Sequence, residues 1–246
     1  MRNPLGLASS LIYFILVFFH KDRADFCLYF WGMAILFAFY IYDNIYTKSS
    51  LKRTLFWTFC FNFLFLFYIP VLSDDVYRFV WDGFMTISGQ NPYAVLPIDY
   101  SGPMISGLFE KLNSQNYFSP YPPLKQYLFA FGNLIGRDSL FVNIVVLRVV
   151  LIFSSIINVF LLFWVALELK YTKEKAVQLS SLFALNPFIV IETVGNFHFE
   201  GIMFTLLLSG LYIYLKYKNV NLSALFFGMS VSIKLVPLIF LPLIWY

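Results

Sequence analysis

Apolar residues run along this chain in long blocks broken by short polar punctuation. The blocks occupy residues 5–19, 26–46, 54–72, 143–169, 177–195, 201–217 and 222–246, and a shorter one runs from Leu124 to Gly136. A hydrocarbon core takes about 20 helical residues, so the pattern predicts about seven spans. Inside lipid each segment has to satisfy its own backbone polar groups, which favours helices; the alternation of a β-barrel is absent. The predicted fold class is all-α: a polytopic transmembrane helix bundle, one integral membrane domain over residues 1–246. The block at 5–19 follows Arg2 as a signal peptide would. No small-residue cleavage site comes after it, only His20-Lys21-Asp22-Arg23, so it reads as an uncleaved first span.

Basic residues in short loops set the orientation. Lys48, Lys52 and Arg53, then Lys170, Lys173 and Lys175, then Lys216 and Lys218 all mark cytoplasmic turns. The three agree only if the 124–136 piece does not cross; at about 20 Å of helix it reads as a short re-entrant or interfacial helix. The N-terminus is then cytoplasmic. A large loop at 73–142 and two short connections at 20–25 and 196–200 face the exterior (periplasmic or luminal) side.

That loop has a pattern of its own. Val76, Phe79, Val80, Phe84 and Ile87 recur at helical spacing, with Asp75, Arg78 and Asp82 on the opposite stripe. This predicts an amphipathic helix over 74–88, capped by Ser73, in the outer interface. A Gly-Gln-Asn-Pro-Tyr turn follows at 89–93. Met104, Ile105, Leu108 and Leu112 predict a second interfacial helix, and Ser-Pro-Tyr-Pro-Pro at 119–123 is a rigid entry into the short apolar piece.

Composition agrees with the pattern. The 246 residues are 60% hydrophobic and 12% charged, with a mean hydropathy of +0.75; soluble domains carry about twice that charge. A soluble enzyme, a disordered tail and a nucleic-acid-binding domain are excluded, and membrane lipid is the solvent. Cys27 and Cys60 lie in different apolar blocks, too far apart in depth to pair.

Charged residues at depth are costly and mark function. Arg148 sits within the 143–169 block, with snorkelling as the plain alternative. Glu192, Asn196, His198 and Glu200 end the 177–195 block, and a continuing helix puts Glu192, Asn196 and Glu200 on one stripe. Lys234 has no acid nearby in sequence, so a distant anion has to compensate it, and Pro237 breaks the helix beyond it. Taken together, carboxylates (Asp74, Asp75, Asp82, Glu192, Glu200) and cations (Arg78, Lys125, Arg148, Lys234, with His198) gather at the exterior boundary. The combination suits cations that hold an anionic lipid headgroup while a carboxylate takes a proton.

The order of motifs carries a resemblance. Asp-Asp-x-Tyr-Arg-x-x-Trp-Asp-Gly from Asp74 is followed by Gly-x-Asn-Pro-Tyr, Tyr-Pro-Pro-Leu-x-Gln, Glu-x-x-x-Asn-x-His-x-Glu and Lys-Leu-x-Pro, over about 73–242. This series resembles polytopic GT-C glycosyltransferases, in particular bacterial polyprenol-phosphate-mannose-dependent mannosyltransferases. The resemblance implies inverting transfer of a hexose, mannose above all, from a polyprenyl-phosphate-linked donor to a glycan or glycolipid acceptor. It implies a catalytic acid at Asp74 or Asp75, whose adjacency leaves both open as the base. Arg78, Lys125, Arg148 and Lys234 would hold the donor phosphate. Asp82, Asn91, Tyr93, Tyr121, Glu192, Asn196, His198 and Glu200 would meet sugar or acceptor hydroxyls. Where such proteins carry His-x-Asp, this chain has His198-x-Glu200. No cofactor is required, although this many carboxylates could hold a divalent metal. Such proteins have more helices than are counted here, and the last block is still apolar at Tyr246, so the chain is expected to be C-terminally incomplete. The competing class is a lipid-linked sugar flippase or another transporter; its internal repeats and midplane charges are absent.

Overall fold

The computed structural model describes residues 4–102 and 105–244, and every regular element among them is helical. The helices are α1 (Pro4–Phe19), α2 (Phe26–Tyr46), α3 (Leu51–Phe63), α4 (Asp75–Ile87), α5 (Pro123–Gly136), α6 (Leu140–Glu168) and α7 (Lys173–Ala184). After them come the short α8 (Pro187–Ile189), which runs on as a π-helix over Val190–Gly195, then α9 (Glu200–Tyr217), α10 (Val220–Val231) and α11 (Leu241–Ile244).

Of the expected spans, α2 and α6 are long and apolar enough to cross a membrane alone, and α7 with its continuation through Gly195 makes a third when taken as one bent unit. The 5–19 and 201–217 blocks form α1 and α9 at the expected bounds to within a residue, and the remaining blocks are broken. The 54–72 block is helical only to Phe63 and then goes through turns toward Pro70. The 177–195 block bends by 48° at Leu185-Asn186-Pro187, where proline cannot continue the α7 ladder and Asn186 caps the next turn through Phe188 N–H. The 222–246 block stops at Val231, and a 3-10 turn, Val236–Phe240, comes after the break.

Short turns make neighbouring helices antiparallel. Gly6 lets α1 approach α3: a Cβ there would lie 2.2 Å from the Trp57 ring. Gly83 does the same for α4 and α5, where a Cβ would meet the Phe129 carbonyl at 2.4 Å. The core continues through Phe79, Phe129, Ile144, Leu147, Phe197 and Phe199. Outward faces stay apolar: Trp31 on α2, Phe56 on α3, Phe153 on α6 and Leu225 on α10 are exposed. Burying such surface in lipid is the hydrophobic contribution that a water-solvated bundle would lose.

The two ends of the bundle differ. At one end Arg53 is ion-paired with Asp43, Tyr40 donates to the Leu182 carbonyl at 2.6 Å, and Leu51 packs on Phe163, Ala166 and Val177. The opposite end brings together residues 20–25, 64–78, 114–126, 192–200 and 232–234. The expected second interfacial helix is not there. Ile105, Leu108 and Leu112 are buried against Trp81 and Met85, but the segment is turns with one 3-10 turn, Phe109–Lys111, and Met104 lies outside the described residues.

Candidate functional site

α4 is one residue shorter at each end than expected. Asp74 is its N-cap, while the Ser73 hydroxyl accepts from Asp75 N–H at 3.3 Å. Its expected water-facing stripe is in fact covered. Arg78 is 2% and Asp82 0% exposed, because the 114–126 segment folds over them. Arg78 Nε donates to Asp82 Oδ1 at 2.7 Å, and Nη1 donates to the Ser114 and Tyr117 carbonyls at 2.8 and 2.9 Å. The second Asp82 oxygen accepts from Ser119 Oγ and, at 3.1 Å, from Gln126 Nε2. Burial pushes the Asp82 carboxyl above its ordinary range, against the opposing pull of Arg78 and these donors. This network is closed: Arg78 and Asp82 hold the loop onto α4.

Asn91 and Tyr93 shape the neighbouring turn. Asn91 Oδ1 accepts from Tyr93 N–H at 2.9 Å, and the Tyr93 hydroxyl donates to the Tyr121 carbonyl at 2.5 Å. The Tyr121 ring faces Phe79 and Phe129 edge-on.

Arg148 does not snorkel. It is fully buried and donates to the carbonyls of Phe65 (2.5 Å), Tyr68 and Gly195 (3.3 Å). Its guanidinium lies 4.8 Å from the Phe197 ring centre. These carbonyls lie in the turns that follow α3 and at the end of the π-helix, so Arg148 fastens two broken segments together. Phe197 sits at φ 68°, a conformation a bulky residue keeps only when its surroundings fix it.

That turn also breaks the expected stripe. Asn196 Nδ2 donates to Glu192 Oε1 at 2.9 Å, but the helix does not continue to Glu200, which opens α9 instead. Glu192 Oε2 pairs with His198 Nδ1 at 3.0 Å. That hydrogen bond raises the His198 imidazole above its ordinary value, against desolvation and helped by Glu200. Glu200 pairs with Lys234, supplying the distant anion that Lys234 needs. Both partners of this pair are more than a third exposed.

Lys125 stands between the closed and open groups. Only 7% exposed, its ammonium lies over the rings of Tyr121 (4.2 Å), Phe79 (4.6 Å), Phe199 (5.2 Å) and Phe129 (5.7 Å). Burial pulls the Lys125 ammonium down to about 8, with Lys234 adding to the fall and Glu200, Asp75 and Asp82 opposing it. An aromatic cage supports a cation without neutralising it. Asp74 and Asp75 part company. Asp74 Oδ1 is held by Arg23 at 2.5 Å, whereas the half-buried Asp75 carboxylate has no hydrogen-bond or ion-pair partner among the described residues. Sequence patterning gives Arg23 no role; its one signal is nearness to two acids of its own turn, and its partner lies across the bundle.

No group of three metal-ligating side chains occurs among the described residues. Two clefts flank the site. One of about 410 Å³ runs between α7–α8 and α9, lined by Phe183, Phe188 and Phe204 and ending at Glu192, His198 and Glu200. The other, about 620 Å³, lies between the 20–23 turn and the 64–71 segment.

The fold and site define a helical membrane protein whose acids and cations meet at one end of an apolar bundle. Over residues 8–246 the chain matches the family described as alpha-(1->6)-mannopyranosyltransferase, N-terminal domain, and it belongs to that family. It is 28% identical over 181 residues to alpha-(1->6)-mannopyranosyltransferase A of Corynebacterium glutamicum, covering 73% of this chain and 35% of the relative. To alpha-(1->6)-mannopyranosyltransferase B of the same organism it is 24% identical over 144 residues, 58% of this chain and 23% of the relative. A GPI mannosyltransferase 1 of Candida albicans is 37% identical over 76 residues, 30% of this chain and 19% of the relative. The aligned part thus spans about a third of the first relative's length. No solved structure matches the chain.

Proposed function

We propose that the chain is the catalytic part of a membrane mannosyltransferase that moves mannose from a polyprenyl-phosphate donor to a glycan or glycolipid acceptor, with inversion, at the exterior face. The observation that carries this reading is the meeting of a free carboxylate, Asp75, with the caged ammonium of Lys125 and the exchangeable Glu200–Lys234 pair. The exterior assignment is supported by the basic clusters around 48–53, 170–175 and 216–218, all at the opposite end of the helices. Seven crossings remain the layout of this proposal: α1, α2, α3 with the turns after it, α6, α7 with its bent continuation, α9, and α10 together with the 3-10 turn and α11.

Asp75 is the preferred base, because Asp74 is held by Arg23. Its carboxylate takes the proton from the acceptor hydroxyl as that oxygen bonds to the anomeric carbon. The bond from that carbon to the phosphate oxygen breaks on the opposite face, through an oxocarbenium-like transition state. Lys125 and Lys234 stabilise the charge gathering on the departing polyprenyl phosphate. Arg78 and Arg148, already bonded to the protein's own acceptors, hold the scaffold. Glu192, Asn196, His198 and Glu200 offer acceptors and donors to hydroxyls.

The test is transfer of radiolabelled mannose from polyprenyl-phosphate mannose by membranes carrying Asp75→Asn or Asp74→Asn. Asp75→Asn is expected to lose at least about a hundredfold in rate, the scale of a missing general base. Asp74→Asn is expected to lose less. Near-normal transfer by both variants would refute the assignment.

A further inference from the structure

The first turn of α5 has no cap in its own approach. Pro122 stands at the N-cap position without a side-chain acceptor, and Pro123 follows with no N–H. The N–H groups of Leu124 and Lys125 are the orphan donors that a cap would satisfy. Their partner comes from 108 residues further along the chain, where Ser232 Oγ accepts from Leu124 N–H at 3.2 Å. The Ser232 carbonyl accepts from Lys125 N–H at 3.4 Å, and the same N–H is shared with the Pro122 carbonyl at 3.1 Å.

Ser232 is also the C-cap of α10, and Lys234 stands two positions on. Between them Ile233 is 1% exposed in the core, and Lys234 N–H donates to the Ser230 carbonyl at 3.2 Å, so the break after α10 keeps a fixed shape. Ser232 therefore joins the segment that carries Lys234 to the helical turn that carries Lys125. The charges that face Lys125 are Asp75 and Asp82 of α4, Glu200 of α9 and Lys234 itself. Lys234 is the like charge among them, and it opposes protonation of its neighbour. Two ammonium groups repel each other until an anion lies between them. A tether that resists the repulsion preorganises an anion site.

We propose that Ser232 is a positioning residue of the phosphate site. Its hydroxyl and carbonyl take the place of the missing cap, hold the Lys234 segment against the first turn of α5, and so fix the spacing of two ammonium groups around one phosphate. The proposal rests on the transfer reaction above, with its leaving phosphate at Lys125 and Lys234. Ser232 touches no substrate; it acts through these two cations.

The test is competitive acetylation of the whole chain in detergent with acetic anhydride across a pH series, the Lys125 peptide being quantified by mass spectrometry. Lys125 of the native protein is expected to titrate at about 8. Ser232→Ala frees the Lys234 segment from α5, so the opposing charge recedes. The Lys125 midpoint should then rise by about 0.3 pH units or more, a change of about twofold in proton affinity. Ser232→Thr retains the hydroxyl and should keep the native midpoint. Ser223→Ala, which removes a hydroxyl bonded to the Gly210 carbonyl on α9, should keep it too. In a Lys234→Gln background Ser232→Ala should add no further rise. An unchanged Lys125 midpoint in Ser232→Ala, or a full further rise in the Lys234→Gln background, overturns the proposal. In transfer assays Ser232→Ala should raise donor KM by on the order of threefold, with acceptor KM unchanged and Ser232→Thr near native. A native donor KM alongside a raised Lys125 midpoint would remove Ser232 from the phosphate site and overturn the proposal as well. If the native chain transfers no mannose, the reaction proposed above fails, while the Lys125 titration is still read separately.

Discussion

Two polar groups at the same end of this bundle are built in opposite ways. The Arg78–Asp82 network is dry: each oxygen of Asp82 has a partner, and Arg78 Nη1 binds two carbonyls of the covering loop. The group formed by Glu192, His198, Glu200 and Lys234 is wet: its ion pairs are open to solvent, with Lys234 and Glu200 each more than a third exposed. Charge alone therefore does not mark chemistry. A charge with its bonds completed inside the protein maintains shape, and one with exchangeable or missing partners is available to a ligand.

Breaking the closed network should have the largest effect on folding. Arg78→Met removes the cation that offsets the burial of Asp82 and leaves the Ser114 and Tyr117 carbonyls without their donor, and breaking a buried pair costs about 3–5 kcal/mol. The thermal midpoint in detergent should fall sharply. Arg78→Met/Asp82→Leu should recover much of it, since removing both charges leaves neither stranded. If Arg78→Met melts like the native protein, the network is not what holds the loop.

Lys234→Ala tests the open group. An exposed pair contributes at most about 1 kcal/mol, so the midpoint should barely move. Donor KM should rise by on the order of tenfold, from the loss of one cation near a phosphate. A large drop in midpoint with unchanged donor KM would make Glu200–Lys234 structural as well.

The smallest effect is a pH dependence at His198. Its imidazole is raised by the Glu192 hydrogen bond, with Glu200 adding to the shift and Lys234 opposing it. The stability it contributes is therefore present below the ordinary histidine range and lost as pH rises through the raised value. After solvent screening it amounts to under about 1 kcal/mol. The difference in midpoint between the native protein and His198→Gln should shrink as pH rises through and above the ordinary histidine range. A difference that is constant or grows contradicts the pairing.

Local signals are readable in the sequence, and coverage is not. The period of Val76, Phe79, Val80, Phe84 and Ile87 places α4 to within a residue at each end, and the apolar piece after Pro123 is α5. The need of Lys234 for a remote anion is readable, because a charge within an apolar block requires one. The burial of Arg78 and Asp82 is not, since the stripe opposite an apolar face looks wet until a loop some 36 residues further on closes over it. Arg148 has the same lesson: its partners are backbone carbonyls of Phe65, Tyr68 and Gly195, and no side-chain pattern announces them. The breaks after Phe63 and at Leu185 lie within runs whose apolar character continues, and hydropathy tracks side chains rather than helix continuity.

The most direct measurement sets Asp75→Asn beside Asp82→Asn, with thermal midpoint and mannosyl transfer monitored on the same preparations. Asp75→Asn is expected to melt like the native protein and to lose transfer, whereas Asp82→Asn is expected to lose midpoint. Native-like transfer by a well-folded Asp75→Asn would contradict the role of Asp75 as the base.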